Sequence, residues 1–314
     1  MSHKTNPKTK LAASRRFSLS GLTRVASVAA IGFCAATGVS AQNIATDVGA
    51  SERINIAGQL STLSQRTIAS ACNLNSGITV RESQAVLQIS AEQFTVISDA
   101  LLKGNRRMGV LGEETRARTL QVIQTLNDEW GPLLAQATDT AVAADDNDQI
   151  KSLADQSEPL LETANILVSE ITGQYADPVA LLHADALLID LSGRQRTLAA
   201  QMSKDVCLIA SGINVEQAQA DLARNSKLFS DTLSALRNGL ESVGVRPPPT
   251  PRIEEGLQYA VEEWEAIQPI LAQAQAGEEL DPATRQRVFF AFLGIEARMN
   301  NVTVLYDKNS KLGL

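Results

Sequence analysis

The sequence predicts an all-α protein: two tandem antiparallel four-helix bundles, produced by an internal duplication and preceded by a signal peptide. Three observations carry this. Apolar residues make up 44% of the 314 and aromatics only 4%, with Ala, Leu, Gln and Glu, all strong helix formers, dominating the rest. Long alternating runs of Val, Ile, Thr and Tyr, the mark of a sheet, are missing. The third observation is a repeat, because the chain aligns with itself at an offset of 135 residues.

The repeat holds over a long register. Ile54-Asn55-Ile56-Ala57-Gly58 matches Ile189-Asp190-Leu191-Ser192-Gly193, and Thr62-Leu63 matches Thr197-Leu198. Further along, Cys72 falls on Cys207, Ser76-Gly77-Ile78 on Ser211-Gly212-Ile213, Phe94 on Phe229, and Gly109-Val110 on Gly244-Val245. Trp130 meets Trp264 after a slip of one residue. Self-similarity of this length is the signature of duplication.

Each copy reads as four helices. Expected spans are 44–75, 81–103, 113–139 and 147–173 in the first copy, and 179–210, 215–239, 251–275 and 282–309 in the second. Turn-forming residues separate them: Asn75-Ser76-Gly77, Gly104-Asn105, Asp145-Asp146-Asn147, Asp177-Pro178, Ser211-Gly212 and Pro247-Pro248-Pro249. Asp281-Pro282 has the cap-then-proline order of a helix start. Short connections favour antiparallel neighbours, hence one bundle per copy. The predicted divisions are 1–41 for the signal, 42–176 for the first bundle and 177–314 for the second.

The opening segment stands apart. It carries Lys4, Lys8, Lys10, Arg15, Arg16 and Arg24 without an acidic residue, then an Ala-rich apolar stretch and Val39-Ser40-Ala41, which fits signal cleavage. Gly32 and Gly38 interrupt the apolar run, which falls short of the roughly 20 residues of a spanning helix. Ser14-Arg15-Arg16-Phe17-Ser18-Leu19 partly matches a twin-arginine export signal, with its Phe one place early. Bulky Phe33 before Cys34 argues against lipoprotein processing. Export to the periplasm is the expectation, with no membrane insertion afterwards, since no later run reads as a span. Removal of the signal leaves 22 basic against 35 acidic residues, a net −13. So acidic a chain is a poor partner for nucleic acid or anionic lipid.

The first helix of each copy carries two stripes. Leu188, Leu191, Leu198, Met202, Val206 and Ile209 recur at steps that place them on one face, as do Ile56, Leu63, Thr67, Ala71 and Leu74 in the first copy. Beside them runs a stripe of small residues: Ser192, Gly193, Arg196, Ala199, Ser203 and Cys207, matched by Ala57, Gly58, Ser61, Ser64, Ile68 and Cys72. Two readings of it stay open. One is close packing within each bundle; the other is contact between the two first helices across a pseudo-twofold axis.

The segments INIAGQLSTLSQRT (Ile54–Thr67) and IDLSGRQRTLAAQM (Ile189–Met202) resemble the first helix of the type IV pili methyl-accepting chemotaxis transducer N-terminal (PilJ-type) domain. That helix reads INLAGRQRMLSQRM. The family is similar in turn to the periplasmic sensor domains of nitrate/nitrite kinases, whose Gly-x-x-Arg arginine binds the anion at a dimer interface. The resemblance implies that Gly193 and Arg196 form the matching pair, with Arg194 between them. The first copy keeps Gly58 but has Ser61 in place of the arginine; it retains another family arginine, Arg66, where the second copy has Gln201. A symmetric two-arginine site is therefore excluded. A single guanidinium still suits nitrate, nitrite or a carboxylate. The competing reading makes Arg194, Arg196 and Lys204 a solvated basic face, or partners of bundle carboxylates.

Cys72 and Cys207 occupy equivalent places on equivalent helices. An oxidising compartment permits a disulfide between them if the first helices meet; otherwise they are two separate buried thiols. Catalysis finds no support. After the signal there is one histidine, His183, read as structural, and no haem, nucleophile-elbow or phosphate-loop motif. No metal site and no cofactor is expected. Glu254-Glu255 and Glu262-Glu263 are adjacent in a helix and point apart. Trp130 and Trp264 are expected to anchor the bundles beneath their caps. The sequence thus points to a periplasmic sensor or ligand-binding protein for a small anion, nitrate or nitrite by resemblance. It would act through a membrane sensor or another periplasmic protein, alone or as a homodimer. The alternative is a helical interaction scaffold without a small-molecule ligand.

Overall fold

A computed structural model describes residues 49–140, 146–175 and 183–312. Eight α-helices appear among them: α1 Ala50–Asn75, α2 Val80–Lys103, α3 Ala117–Thr140, α4 Asn147–Tyr175, α5 His183–Ala210, α6 Val215–Asn238, α7 Pro251–Gln275 and α8 Pro282–Leu312. No strand occurs among the described residues. The expected signal peptide, its cleavage site, Cys34 and the boundary between residues 176 and 177 all lie outside them.

The duplication extends to the backbone. Thr79 and Asn214, 135 residues apart, precede α2 and α6 at φ 45° and 46°, a left-handed conformation uncommon outside glycine. After α2 and α6 the chain makes the same excursion twice, a 3-10 turn (Arg106–Met108, Glu241–Val243) closed by a single antiparallel bridge (Asn105 to Val110, Leu240 to Val245). These turns were not foreseen. Their Gly104/Gly239 and Gly109/Gly244 pairs all have φ of 76–79°. In copy one a Cβ on Gly104 would lie 2.7 Å from the Gly112 carbonyl oxygen.

Helix ends follow local chemistry. Asp146 accepts from Gln149 N at 3.0 Å to open α4, Thr250 caps α7 with Pro251 behind it, and Asp281 accepts from Ala283 N and Thr284 N to open α8. Helix α3 starts at Ala117, four residues later than expected. The Glu114 carboxylate accepts from the backbone N–H of Thr115 and Arg116, which holds that stretch outside the helix. Glu114 is itself buried against Arg53 and accepts from the Tyr175 hydroxyl at 2.8 Å, tying α1, this loop and the end of α4 together.

Each bundle buries one aromatic pair between its second and third helices. Phe94 stacks on Trp130 with centroids 3.9 Å apart, and Phe229 meets Trp264 at 4.5 Å. The tryptophans therefore pack along the middle of α3 and α7, not beneath the caps. His183 is the exposed first residue of α5, with no core role. Helix α8 is long and apolar enough to cross a membrane, contrary to the expectation that no later segment would be. Its apolar residues are used otherwise: Val288, Phe292, Ile295, Met299 and Val302 are buried in the core.

Both readings of the small-residue stripe describe part of it. Ser61 faces its own bundle, donating to Asn165 Oδ1 of α4 at 3.2 Å. Elsewhere α1 and α5 meet each other directly and run parallel. Thr62 and Thr197 hydroxyls are 3.0 Å apart, Cys72 and Cys207 are joined as a disulfide with Cα atoms 6.2 Å apart, and Ser76 and Ser211 hydroxyls are 2.9 Å apart. Every pair is separated by 135 residues, so a local twofold axis runs along the two helices. Steps of ten and four between contacts fit the 3.5-residue repeat of a parallel helix seam. The disulfide closes a 135-residue separation, and restricting so long a loop in the unfolded chain stabilises on the order of 2–5 kcal/mol. The Cys72→Ser/Cys207→Ser variant should therefore melt well below the oxidised protein and match the reduced wild type. Equal melting temperatures with and without reductant would show that the bond contributes nothing.

Candidate functional site

The residues expected to bind an anion gather where α1 and α5 cross near their middles. Arg196, on α5, is 2% exposed. Its guanidinium passes between Gly193 of its own helix and Gly58 of α1: a Cβ on Gly193 would lie 3.0 Å from Nη2, and one on Gly58 3.5 Å. The two glycines are pseudo-equivalent, so the side chain fills the gap that the absent methyls leave on the local axis. There Nη1 donates to Asn55 Oδ1 at 2.9 Å and to Asn300 Oδ1 at 2.6 Å. Nη2 donates to the Asn55 carbonyl at 3.2 Å and Nε to the Gly193 carbonyl at 3.3 Å.

Arg66 approaches the same place from the other copy. Its Nε donates to Ser90 Oγ and its Nη2 to Gln93 Oε1, both of α2 at 2.9 Å. Its Nη1 lies 3.3 Å from Glu296 Oε2 of α8. Arg66, Arg196 and Glu296 line one cavity of about 250 Å³ with Gln59, Gln93 and Asn300. Each copy retained only part of the motif, yet folding brings the two retained arginines to a shared, asymmetric site.

Burial sets the electrostatics. Desolvation pulls the Arg196 guanidinium down to about 10, Glu296 opposing and Arg66 reinforcing it, so it stays charged at neutral pH. Desolvation also pushes Glu296 up to about 7, against the pull of Arg66 and Arg196. Both residues are otherwise expensive to bury alone, and they stabilise each other across the cavity.

A smaller cavity of about 130 Å³ brings Gly58, Gly193, Arg194 and Arg196 together with Asn55 and Asn165, Arg194 at its rim. Arg194 points outward, 64% exposed, and pairs with Asp190 one turn back at 2.9 Å. Of the proposed basic face only Arg194 is solvated. Lys204 is buried, and its Nζ donates to Gln65 Oε1 of α1 at 3.0 Å and Ser157 Oγ of α4 at 2.9 Å, spanning the two copies. Beside it Asp205 is buried and pushed up to about 7 by desolvation, with Lys204 opposing. A cavity of about 320 Å³ opens next to this pair between α4, α5 and α6. Sequence reasoning missed Glu296, Asn55 and Asn300. The available signal was a single acid inside the apolar run Phe289–Ile295 and its continuation, a place where an unpaired carboxylate is rarely buried.

The Arg196 geometry has a direct consequence for stability. Removing its side chain strands the Asn55 and Asn300 carbonyls in a buried crossing, a loss on the order of 3 kcal/mol. Arg196→Lys should recover little of it, because an ammonium has no planar fork to meet acceptors on both sides. Denaturant midpoints of the two variants test this; wild-type midpoints in both would place the guanidinium outside the fold's framework.

No curated protein matches the chain. A family profile does, over residues 43–156 and again over 180–287. It describes the N-terminal domain of type IV pili methyl-accepting chemotaxis transducers, a sensory and non-catalytic domain. The two matches follow the internal repeat and together span more than half of the sequence. The chain is thus a member of the PilJ family, carrying two tandem copies of its domain.

Proposed function

We propose that this protein is a periplasmic sensor module that binds a small anion, nitrate or nitrite first, and signals through a partner protein. Copies 42–176 and 177–314 form its two halves, with residues 1–41 directing export. The observation that carries the reading is the convergence of Arg66 and Arg196 on one cavity at the crossing of the two motif helices. A cavity of this size accommodates a triatomic or tetra-atomic anion with room for water. Arg66 is the group that offers free donors there, since Nη1 and Nη2 each spend one N–H on Glu296 and Gln93. Arg196 acts mainly through its charge, four of its five N–H groups being engaged. Gly58 and Gly193 act by admitting that guanidinium.

One observation favours a second reading. Saturation of Arg196 by protein acceptors suits a structural crossing, and a helical interaction scaffold needs nothing more. In either case output requires a partner, which the chemotransducer relationship suggests is membrane-associated.

A thermal-shift titration with nitrate, nitrite, chloride and sulfate separates the readings. A ligand at about 100 times its Kd stabilises by about 2.7 kcal/mol, a rise of about 4–5 °C for a protein of this size. Nitrate or nitrite should raise Tm selectively, and Arg66→Gln, still folded but with a lower unliganded Tm because buried Glu296 loses its donor, should show no rise. A flat response to every anion, with concentration-dependent assembly, would support the scaffold.

A further inference from the structure

The cavity between α1, α2, α5 and α8 contains a carboxylate that an anion site does not need. Glu296 is 4% exposed, and among the described residues its one hydrogen-bond donor is Arg66. No other acidic group lines the cavity: α1 contributes Arg66, α5 contributes Arg196, and the polar residues from α1, α2 and α8 are neutral (Gln59, Thr62, Gln93 and Asn300).

The pseudo-equivalent positions show that these charges form a set. At the 135-residue offset Arg66 becomes Gln201, Arg196 becomes Ser61, Glu296 becomes Leu161 and Gln93 becomes Leu228. Asn300 becomes Asn165, which keeps its place and accepts from Ser61 as Asn300 accepts from Arg196. The asparagine is thus kept on both faces, while Arg66, Arg196 and Glu296 are present on one and absent together from the other. That other face has charges of its own at the equivalents of Gln59, Leu293 and Ala297 (Arg194, Glu158 and Glu162), and these are exposed. Had Glu296 served only to hold α8 in place, Leu161 shows that the fold manages without it.

Resting on the anion-site reading, we propose that Glu296 is the specificity-determining residue of this cavity: a tethered counter-anion that makes a bound anion enter together with a proton. With Glu296 ionised the three charges leave the site at +1, and an incoming anion shares both arginines with a carboxylate a few ångströms away. Protonation of Glu296 removes that competitor and leaves +2. By linkage, whatever favours the protonated form is in turn bound more tightly by it. Burial already holds Glu296 near neutrality, so the exchange falls within the ordinary pH range. The sign follows: binding is strongest below the Glu296 value and weakens as pH rises through it. The tethered carboxylate also favours monovalent anions, since a divalent one meets greater repulsion from it.

Isothermal titration of the purified protein with sodium nitrate, from pH 5.5 to 8.5 and in buffers of different ionisation enthalpy, tests this. The wild type should take up a substantial fraction of one proton per nitrate at pH 7.5, with Kd rising towards about tenfold per pH unit above pH 7. Glu296→Gln should take up none, bind nitrate with a flat pH profile and exceed the wild type at pH 8 by about tenfold or more. Glu296→Leu, copying Leu161, serves if the glutamine variant fails to fold. Nitrate binding by the wild type with no proton uptake, or loss of binding in a folded Glu296→Gln variant, would overturn the role of Glu296 and leave the anion site standing. Absence of nitrate binding at every pH in both proteins would remove the anion site as well.

Discussion

The parallel contact between α1 and α5 is the constraint on which the rest of this structure depends. Three pairs of identical residues, Thr62 with Thr197, Cys72 with Cys207 and Ser76 with Ser211, meet along one line. Because each pair shares the same separation, the contact is isologous, the arrangement that relates identical subunits in a twofold dimer. Here both halves belong to one chain. Each motif helix then has two duties: one face closes its own bundle, as Ser61 does against Asn165, and the other meets its counterpart. Small residues serve the second duty because the backbones must approach closely.

Covalent linkage frees the two halves to differ, which a homodimer cannot do. Equivalent positions hold Ala69 and Lys204, Ser70 and Asp205, Ser61 and Arg196, Leu161 and Glu296. Three of these buried charges reach for the first copy, Lys204 to Gln65, Arg196 to Asn55 and Glu296 to Arg66, while Asp205 is held within the second by Asn225 and Lys204. An isolated second bundle would strip Lys204, Arg196 and Glu296 of partners from across the seam, so the symmetric frame and the asymmetric polar chemistry are mutually dependent. The cavities that flank the α1–α5 pair accordingly carry different charges.

The helices were legible because their signals are local. Periodicity, Gly and Pro punctuation and the Asp281-Pro282 cap placed most ends within a few residues. The late start of α3 was not legible, since it depends on Glu114 turning back to its own following amides while held by Arg53 and Tyr175. Arg196 and Arg66 stood out in sequence as fragments of one motif, yet their meeting required knowing that α1 and α5 run parallel and in register. Glu296 lay 100 residues from the motif and had no pattern of its own. Arg194 shows the reverse: adjacent to the key positions in sequence, it is turned to solvent by the helix and pairs with Asp190.

The central claim is that the two motif helices lie side by side, parallel and in equivalent register. Site-directed disulfide trapping tests it most directly, in a Cys72→Ser/Cys207→Ser background so that no native bond enforces the result. Thr62→Cys paired with Thr197→Cys should cross-link rapidly under mild oxidation, given hydroxyls 3.0 Å apart. Thr62→Cys paired with Gln201→Cys, displaced by about one turn, should not. Equal trapping of both pairs, or preference for the displaced one, would contradict the register and with it the meeting of Arg66 and Arg196.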